Sequence, residues 1–122
     1  MHIRTLVVAA AIAVTLAGVG AATAARSAAP KLKGTVGPGF TISLKTATGR
    51  TVTTLKAGTY TIVVSDRSAI HSFVLEGPGV ERDITTPSFV GTKTVTVKLR
   101  KGKYKFYCRP HESTMFGFVK VT

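Results

Sequence analysis

Apolar and polar residues alternate along several short stretches of the chain. The alternation is clearest over residues 40–44, 60–64 and 95–99, and it is also present around Val52. A period of two residues is typical of a β-strand that buries one face. Since no stretch of ten or more residues combines helical spacing with capping residues, we predict an all-β domain.

Glycine-containing turns separate these stretches. Residues 48–50, 56–59, 77–79 and 100–103 each place a Gly between two strand patterns, where a tight reversal favours a residue that accepts positive φ. The spacing divides the chain into seven or eight short strands. We therefore predict a Greek-key β-sandwich of two sheets packed face to face.

The N-terminus has a different composition, which is typical of an export signal. Arg4 precedes an apolar run at residues 6–19, and residues 22–24 read Ala-Thr-Ala, an A-x-A cleavage pattern. The run is shorter than the roughly 18 to 20 residues that a membrane-spanning helix needs. We predict a signal peptide over residues 1–24, cleaved after Ala24 or after the residue that follows it, and no membrane span. The mature protein is then periplasmic, or secreted into the cell-wall space.

The mature chain is expected to consist of a short leader and one basic domain. Residues 25–33 are rich in Ala with Ser, Pro and Lys and lack apolar periodicity, so they are predicted to be a flexible leader before a domain at residues 34–122. Without Arg4, 16 Lys and Arg stand against 5 Asp and Glu, a formal charge of +11. This charge attracts anionic membranes, wall polymers, nucleic acid or an acidic protein. Because the basic residues form no dense block or nucleic-acid motif, nucleic acid is disfavoured as a partner.

Four side chains carry the candidate chemistry. After signal removal the chain retains one Cys, two His and one Met, namely Cys108, His71, His111 and Met115. Cys108 has the parity of two aromatic residues in the strand pattern before it, so its thiol is predicted to face the core. Pro110 breaks that strand and lets His111 and Met115 fold back toward the sulfur. His71 lies in a separate apolar pattern and is also predicted to face inward.

Two imidazoles, one thiolate and one thioether form the donor set that holds copper for one-electron transfer. Soft sulfur suits Cu(I), and imidazole nitrogen suits Cu(II). Zinc sites usually recruit more Cys or His and rarely a thioether, so the predicted metal is copper, with one ion per chain. The weak axial position is assigned to Met115, with Ser113, Thr114 or a backbone oxygen as the alternative.

The loop that carries three of these residues resembles a known family. Residues 107–111 read Tyr-Cys-Arg-Pro-His, similar to the Tyr-Cys-x-Pro-His of plastocyanins, and Met115 follows where their axial Met is expected. Plastocyanins have one more residue before this Met and amicyanins one fewer. Around His71 the sequence resembles the family's strand and loop for the first His, with Ser72 where many relatives have an Asn that ties the ligand loops together. Over roughly residues 34–122 the chain is thus similar to small blue copper proteins of the plastocyanin and azurin type, the cupredoxins.

The resemblance implies an eight-stranded sandwich with copper near one end, acting as a one-electron carrier between redox partners. A copper enzyme such as an oxidase or nitrite reductase needs further His ligands for a catalytic metal, and only two His remain here, so no enzymatic role is expected unless another chain supplies them. In the family the loop His reaches the surface within an apolar patch, for which Pro78, Phe89 and Phe116 are the candidates here. Basic residues near it, such as Arg109, favour a redox partner with an acidic docking surface. The protein is expected to be a monomer. The alternative is an extracytoplasmic copper-binding protein that handles metal without electron-transfer turnover.

Overall fold

The computed structural model describes Gly18 and residues 28–122. Apart from Gly18, the predicted signal peptide, its cleavage site and the start of the predicted leader lie outside this part of the chain. None of the helical segments in the described part has the length and hydropathy of a membrane span. The described residues form nine strands and one 3-10 turn, which are β1 (Lys31–Val36), β2 (Ile42–Thr46), β3 (Thr54–Leu55), β4 (Gly58–Asp66), β5 (Phe73–Gly77), β6 (Val80–Thr85), β7 (Gly91–Leu99), β8 (Gly102–Tyr107), the turn Arg109–His111, and β9 (Phe116–Val121).

Two mixed sheets form the predicted sandwich. One contains four strands in the order β2-β1-β4-β7, and the other contains five in the order β3-β9-β8-β5-β6. β1 runs parallel to β4 and β3 runs parallel to β9, whereas the other neighbours are antiparallel. The all-β, two-sheet prediction is confirmed. The described residues contain nine strands instead of seven or eight, partly because β3 has only two residues and leaves no periodic pattern.

The first strand starts at Lys31, three residues before the predicted start of the domain at residue 34. Leu32 is buried, and it lies opposite Ile62 of β4 and Thr46 of β2. A single apolar residue between two lysines gives no period of two. Pairing with two neighbouring strands therefore extends β1 into the segment predicted to be a flexible leader.

The core lies between the sheets, and near one end of the sandwich it is filled by an aromatic pair. The rings of Phe73 and Phe106 stack with centroids 5.8 Å apart and planes 6° from parallel. Gly34 and Gly117 make room for this pair, since a Cβ at Gly34 would lie 2.9 Å from the Phe73 ring and one at Gly117 would overlap Phe106. Each of these Phe residues stands two positions from a predicted ligand, so their packing fixes the strands that carry the ligand loops.

Phe40 does not belong to β2, although its alternation with Ile42 suggested a core strand position. The strand begins at Ile42, and the Phe40 side chain is 63% exposed. The Gly37 N–H donates to the Thr41 carbonyl at 3.0 Å, and Gly37 has a φ of 71°. This turn moves Phe40 out of the sheet and toward the end where the predicted ligands lie.

Candidate metal centre

Three of the four predicted ligands meet at one end of the sandwich. The Nδ1 atoms of His71 and His111 are 3.2 Å apart, and the Cys108 sulfur lies 3.7 Å from the first and 3.6 Å from the second. His71 lies in the β4–β5 loop, whereas Cys108 and His111 lie in the β8–β9 loop. Because β5 and β8 are hydrogen-bonded neighbours, the sheet brings these two loops side by side.

The size of this donor triangle fits a metal ion. Atoms that lie about 2.0 to 2.3 Å from a common ion at angles near 110° are separated by roughly 3.3 to 3.7 Å. The observed sulfur–nitrogen distances fall in this range, and the nitrogen–nitrogen distance lies just below it. Two nitrogen donors and one soft sulfur donor suit copper. The residues present therefore fit the predicted metal.

Burial differs among the four predicted ligands. His71 and Cys108 have no solvent exposure, and Met115 is 1% exposed. His111 is only partly buried. A buried cluster excludes water from the donors, and His111 is the member of the set that lies closest to solvent.

Met115 belongs to the same loop and the same buried cluster as Cys108. The Cys108 N–H donates to the Met115 carbonyl at 2.9 Å, and the Met115 N–H donates to the His111 carbonyl at 2.8 Å. These bonds fold the loop so that its last residue returns beside its first. The backbone thus places Met115 next to the donor triangle, and its side chain points into the core.

Ser72 connects the two ligand loops. Its backbone N–H donates to the Cys108 sulfur at 3.4 Å, and its hydroxyl accepts the Arg109 N–H at 2.9 Å. Each loop thereby restrains the other before any metal is bound. Ser72 makes the loop-to-loop tie for which many relatives use Asn.

Phe40 covers the two imidazoles and was not predicted as a site residue. Its ring centroid lies 5.2 Å from that of His71 and 5.0 Å from that of His111, and both contacts are edge-to-face. The sequence did contain a signal, because residues 37–39 read Gly-Pro-Gly, which favours a turn before Phe40 over a continuing strand.

Exposed apolar residues surround this end of the sandwich. Ile70 directly precedes His71, and Phe116 follows the ligand loop. Val90 precedes Gly91, which pairs with the last residue of β4. The strongly exposed members of this group, here called the apolar rim, are Phe40, Ile70, Val90 and Phe116.

Two of the three residues predicted for the apolar patch need correction. Pro78 lies at the opposite end of the sandwich, where its carbonyl accepts the Tyr104 hydroxyl at 2.7 Å, because the β5–β6 hairpin points away from the ligand loops. Phe89 lies at the correct end but is partly buried, with the Lys93 ammonium 4.6 Å from its ring centroid. Phe116 is exposed beside the ligand loop, as predicted.

The charge of Arg109 is engaged within the protein. Its guanidinium donates to Asp83 at 2.8 and 3.1 Å, and this hydrogen bond raises the pKa of Arg109 above its ordinary value. Arg109 is therefore a weaker attractant for an acidic partner than the sequence suggested. At this end of the sandwich, the basic side chains that form no ion pair within residues 28–122 are Arg67 and Lys93.

The fold and the donor set define a small β-sandwich with a buried metal centre built from two His and one Cys. Residues 41–122 match the family of copper binding proteins described as the plastocyanin/azurin family. The chain belongs to this family, and copper is its cofactor.

Solved structures of blue copper proteins share the fold. Rusticyanin at 2.1 Å resolution has 19% sequence identity and a TM-score of 0.52, with 75% of this chain and 76% of that chain covered. Reduced rusticyanin at 1.9 Å has 23% sequence identity and a TM-score of 0.51, with 75% of this chain and 78% of that chain covered. Auracyanin A, a "blue" copper protein from Chloroflexus aurantiacus, has 20% sequence identity and a TM-score of 0.52. The match covers 78% of this chain and 100% of that chain. No curated protein matched the chain by sequence.

The Ser72 tie can be tested by removing its hydroxyl. Ser72→Ala leaves the Arg109 N–H without its acceptor, which should lower the free energy of unfolding of the metal-free protein by about 1 to 2 kcal/mol. The same change loosens the ligand loops, so release of bound copper to a chelator should be faster. Urea unfolding and stopped-flow chelation measure the two effects.

The control for this variant is Tyr104→Phe, because the Tyr104 hydroxyl accepts the Arg100 N–H at 2.9 Å at the opposite end of the sandwich. It should cost similar stability and leave copper release unchanged. Equal acceleration of copper release in both variants would show that Ser72 has no special role in joining the loops.

Proposed function

We propose that the protein is an exported one-electron carrier in which His71, Cys108, His111 and Met115 hold one copper ion. The observation that supports this most strongly is the preformed triangle of two Nδ1 atoms and one sulfur, with separations of 3.2 to 3.7 Å. Met115, buried in the same loop, would supply the fourth, weakly bound donor. One metal site in one small domain is the arrangement expected of a carrier.

The bound copper supplies one-electron chemistry by alternating between its +1 and +2 states. The role of the protein is to keep the donors in a single arrangement. The hydrogen bonds of Ser72 orient the sulfur, and the Phe73–Phe106 stack supports both strands beneath the site. Donors that already lie in place have little to rearrange when the charge of the ion changes, which favours fast and reversible transfer.

Electron exchange is assigned to the His111 side of the centre. His111 is the least buried of the four proposed ligands, Phe40 of the apolar rim contacts its ring, and the other rim residues lie at the same end of the sandwich. An apolar contact surface allows a partner to approach closely and to exclude water at low cost, and charged residues outside it steer the encounter. With Arg67 and Lys93 at this end, the complementary partner presents an acidic surface.

The first prediction from this proposed function concerns the copper–sulfur bond. Addition of Cu(II) to the purified exported form should produce an intense visible thiolate-to-copper band, because the buried thiolate of Cys108 would hold the copper. Cys108→Ser keeps a similar side-chain volume and should abolish the band. Absorption spectroscopy of both proteins after removal of unbound copper provides the measurement.

Voltammetry of the coloured protein separates the carrier from the copper-handling alternative. A carrier gives a reversible one-electron wave and retains its copper over many cycles. Loss of copper on reduction would favour metal handling instead, and absence of the visible band would remove the proposed site altogether.

The second prediction concerns steering by the basic groups at the metal end. The rate of oxidation by hexacyanoferrate(III), an anion, should fall about tenfold between low and high salt, as charge attraction is screened. Replacement of Arg67 and Lys93 by Gln should lower the rate at low salt. Replacement of Lys31 and Lys98, which lie toward the other end of the sandwich, should change it much less. A rate that does not vary with salt contradicts the steering.

The third prediction concerns export. The apolar run at residues 6–19 and the A-x-A pattern at residues 22–24 lead us to propose that the mature protein begins at Ala25 or Arg26 in a compartment outside the cytoplasm. N-terminal sequencing of the protein from the extracytoplasmic fraction tests this. Recovery of the uncut chain from the cytoplasm alone contradicts it.

A further inference from the structure

The outer surface of the four-stranded sheet has an unusual composition. In β1, β2, β4 and β7 the buried residues alternate with residues that point away from the core, and the strand registers place these outward residues in continuous rows. They are four Lys, six Thr, two Ser and one Val. This threonine–lysine face consists of Lys31, Lys33, Thr35, Ser43, Lys45, Thr59, Thr61, Val63, Ser65, Thr92, Thr94, Thr96 and Lys98.

The positive charge of this face is not compensated by carboxylates within residues 28–122. The acidic residues lie elsewhere, since Asp66 is buried and the others belong to β5, β6 and the ligand loop. The two ion pairs in the described part of the chain, Lys105–Glu112 and Arg109–Asp83, are both on the side of the five-stranded sheet. The four lysines therefore present their full charge to solvent.

Two of these lysines stand directly opposite each other. Lys33 of β1 pairs with Lys45 of β2, and both are exposed. Side chains at facing positions of an antiparallel pair have Cβ atoms about 5 Å apart, and like charges there are destabilising. Nothing in the neighbouring strands relieves this repulsion, because Lys33 is flanked on its other side by Val63. An anion bound between the two ammonium groups would relieve it.

The other residues of the face restrict the kind of anion. Protein interfaces are enriched in aromatic residues and Arg and depleted in Lys, and this face has no aromatic side chain and no Arg. A bilayer surface is bound through apolar side chains that enter it, and the one apolar residue here, Val63, is partly buried. Lys binds phosphate as a compact point charge with three hydrogen-bond donors. Hydroxyl groups beside the lysines add hydrogen-bond donors.

We propose that the threonine–lysine face binds a hydrophilic polymer of phosphate groups, with Lys33 and Lys45 bracketing one phosphate. The face runs along the side of the sandwich and reaches the metal end only at Thr35, Ser65 and Thr92, whereas Lys31 and Lys98 lie toward the opposite end. A polymer held by the lysines therefore lies along the side of the sandwich. The proposal does not depend on the copper function and applies to the metal-free protein as well.

The test uses the full exported chain and long-chain inorganic polyphosphate, with isothermal titration calorimetry at several salt concentrations. Replacing both Lys33 and Lys45 by Gln should weaken binding about tenfold and reduce the slope of log affinity against log salt by about two, one for each lost contact. The matched control replaces Lys103 and Lys120, a facing lysine pair on the five-stranded sheet, and should change the affinity by about twofold at most.

Two further measurements make the result specific. Urea unfolding at low salt should show that the Lys33→Gln, Lys45→Gln protein is at least as stable as the parent, since a repulsive pair has been removed. Poly-L-glutamate and phosphatidylglycerol vesicles should bind more weakly than polyphosphate, without dependence on these two lysines. The proposal is overturned by equal losses in both double variants, by no binding of polyphosphate, or by lysine-dependent binding of the carboxylate polymer or the vesicles.

Discussion

The two hydrogen bonds of Ser72 are the contact on which the metal centre depends. One joins the first His loop to the Cys108 sulfur, and the other joins it to the backbone of the residue that follows, Arg109. The first loop contributes one proposed donor, His71, and the second contributes the others, so the complete set needs both loops. Their separation is set by the pairing of β5 with β8, in which Val74 lies opposite Tyr107, and Ser72 converts this register into a fixed distance between donors. A shift of one residue would turn every side chain on one strand to the other face.

This arrangement leaves polar groups buried before metal binding. The Nε2 atom of His71 has no hydrogen-bond partner among the described residues, and the two Nδ1 atoms face each other across 3.2 Å. Buried polar atoms without partners cost free energy. An ion shared by His71, His111 and the Cys108 sulfur would be a common partner for the two Nδ1 atoms and the sulfur, but not for Nε2 of His71. Any ligand that binds only the folded state also stabilises it.

The sequence predicted the sandwich and the donors for different reasons. Alternation of apolar and polar residues predicts half-buried strands. Cys, His and Met are rare in this chain, so the few that are present are easily recognised as candidate metal ligands. The predictions that were wrong concern residues whose position depends on strand pairing between segments that are distant in the sequence. Phe40 alternates with Ile42 like a core residue, but a turn removes it from the strand. Pro78 lies in a recognisable hairpin, yet the pattern does not say at which end of the sandwich that hairpin lies. The partner of Arg109 is 26 residues away, on a strand whose register the sequence does not specify.

The surface of the molecule has an apolar region at the metal end and a lysine-rich region on the outer side of the four-stranded sheet. Donors for a metal must be buried, so the loops around them present apolar residues, and this end carries the Phe40 ring over both imidazoles. Excess charge near the ion would also alter the relative stability of its two oxidation states, whereas charge on the side of the sandwich is separated from it by the core. The lysines of the four-stranded sheet can therefore be numerous without disturbing the centre. Because salt screens charge interactions beyond about 10 Å, an anion bound near Lys31 and Lys98 would have little effect on the proposed electron-transfer contact at the other end of the sandwich.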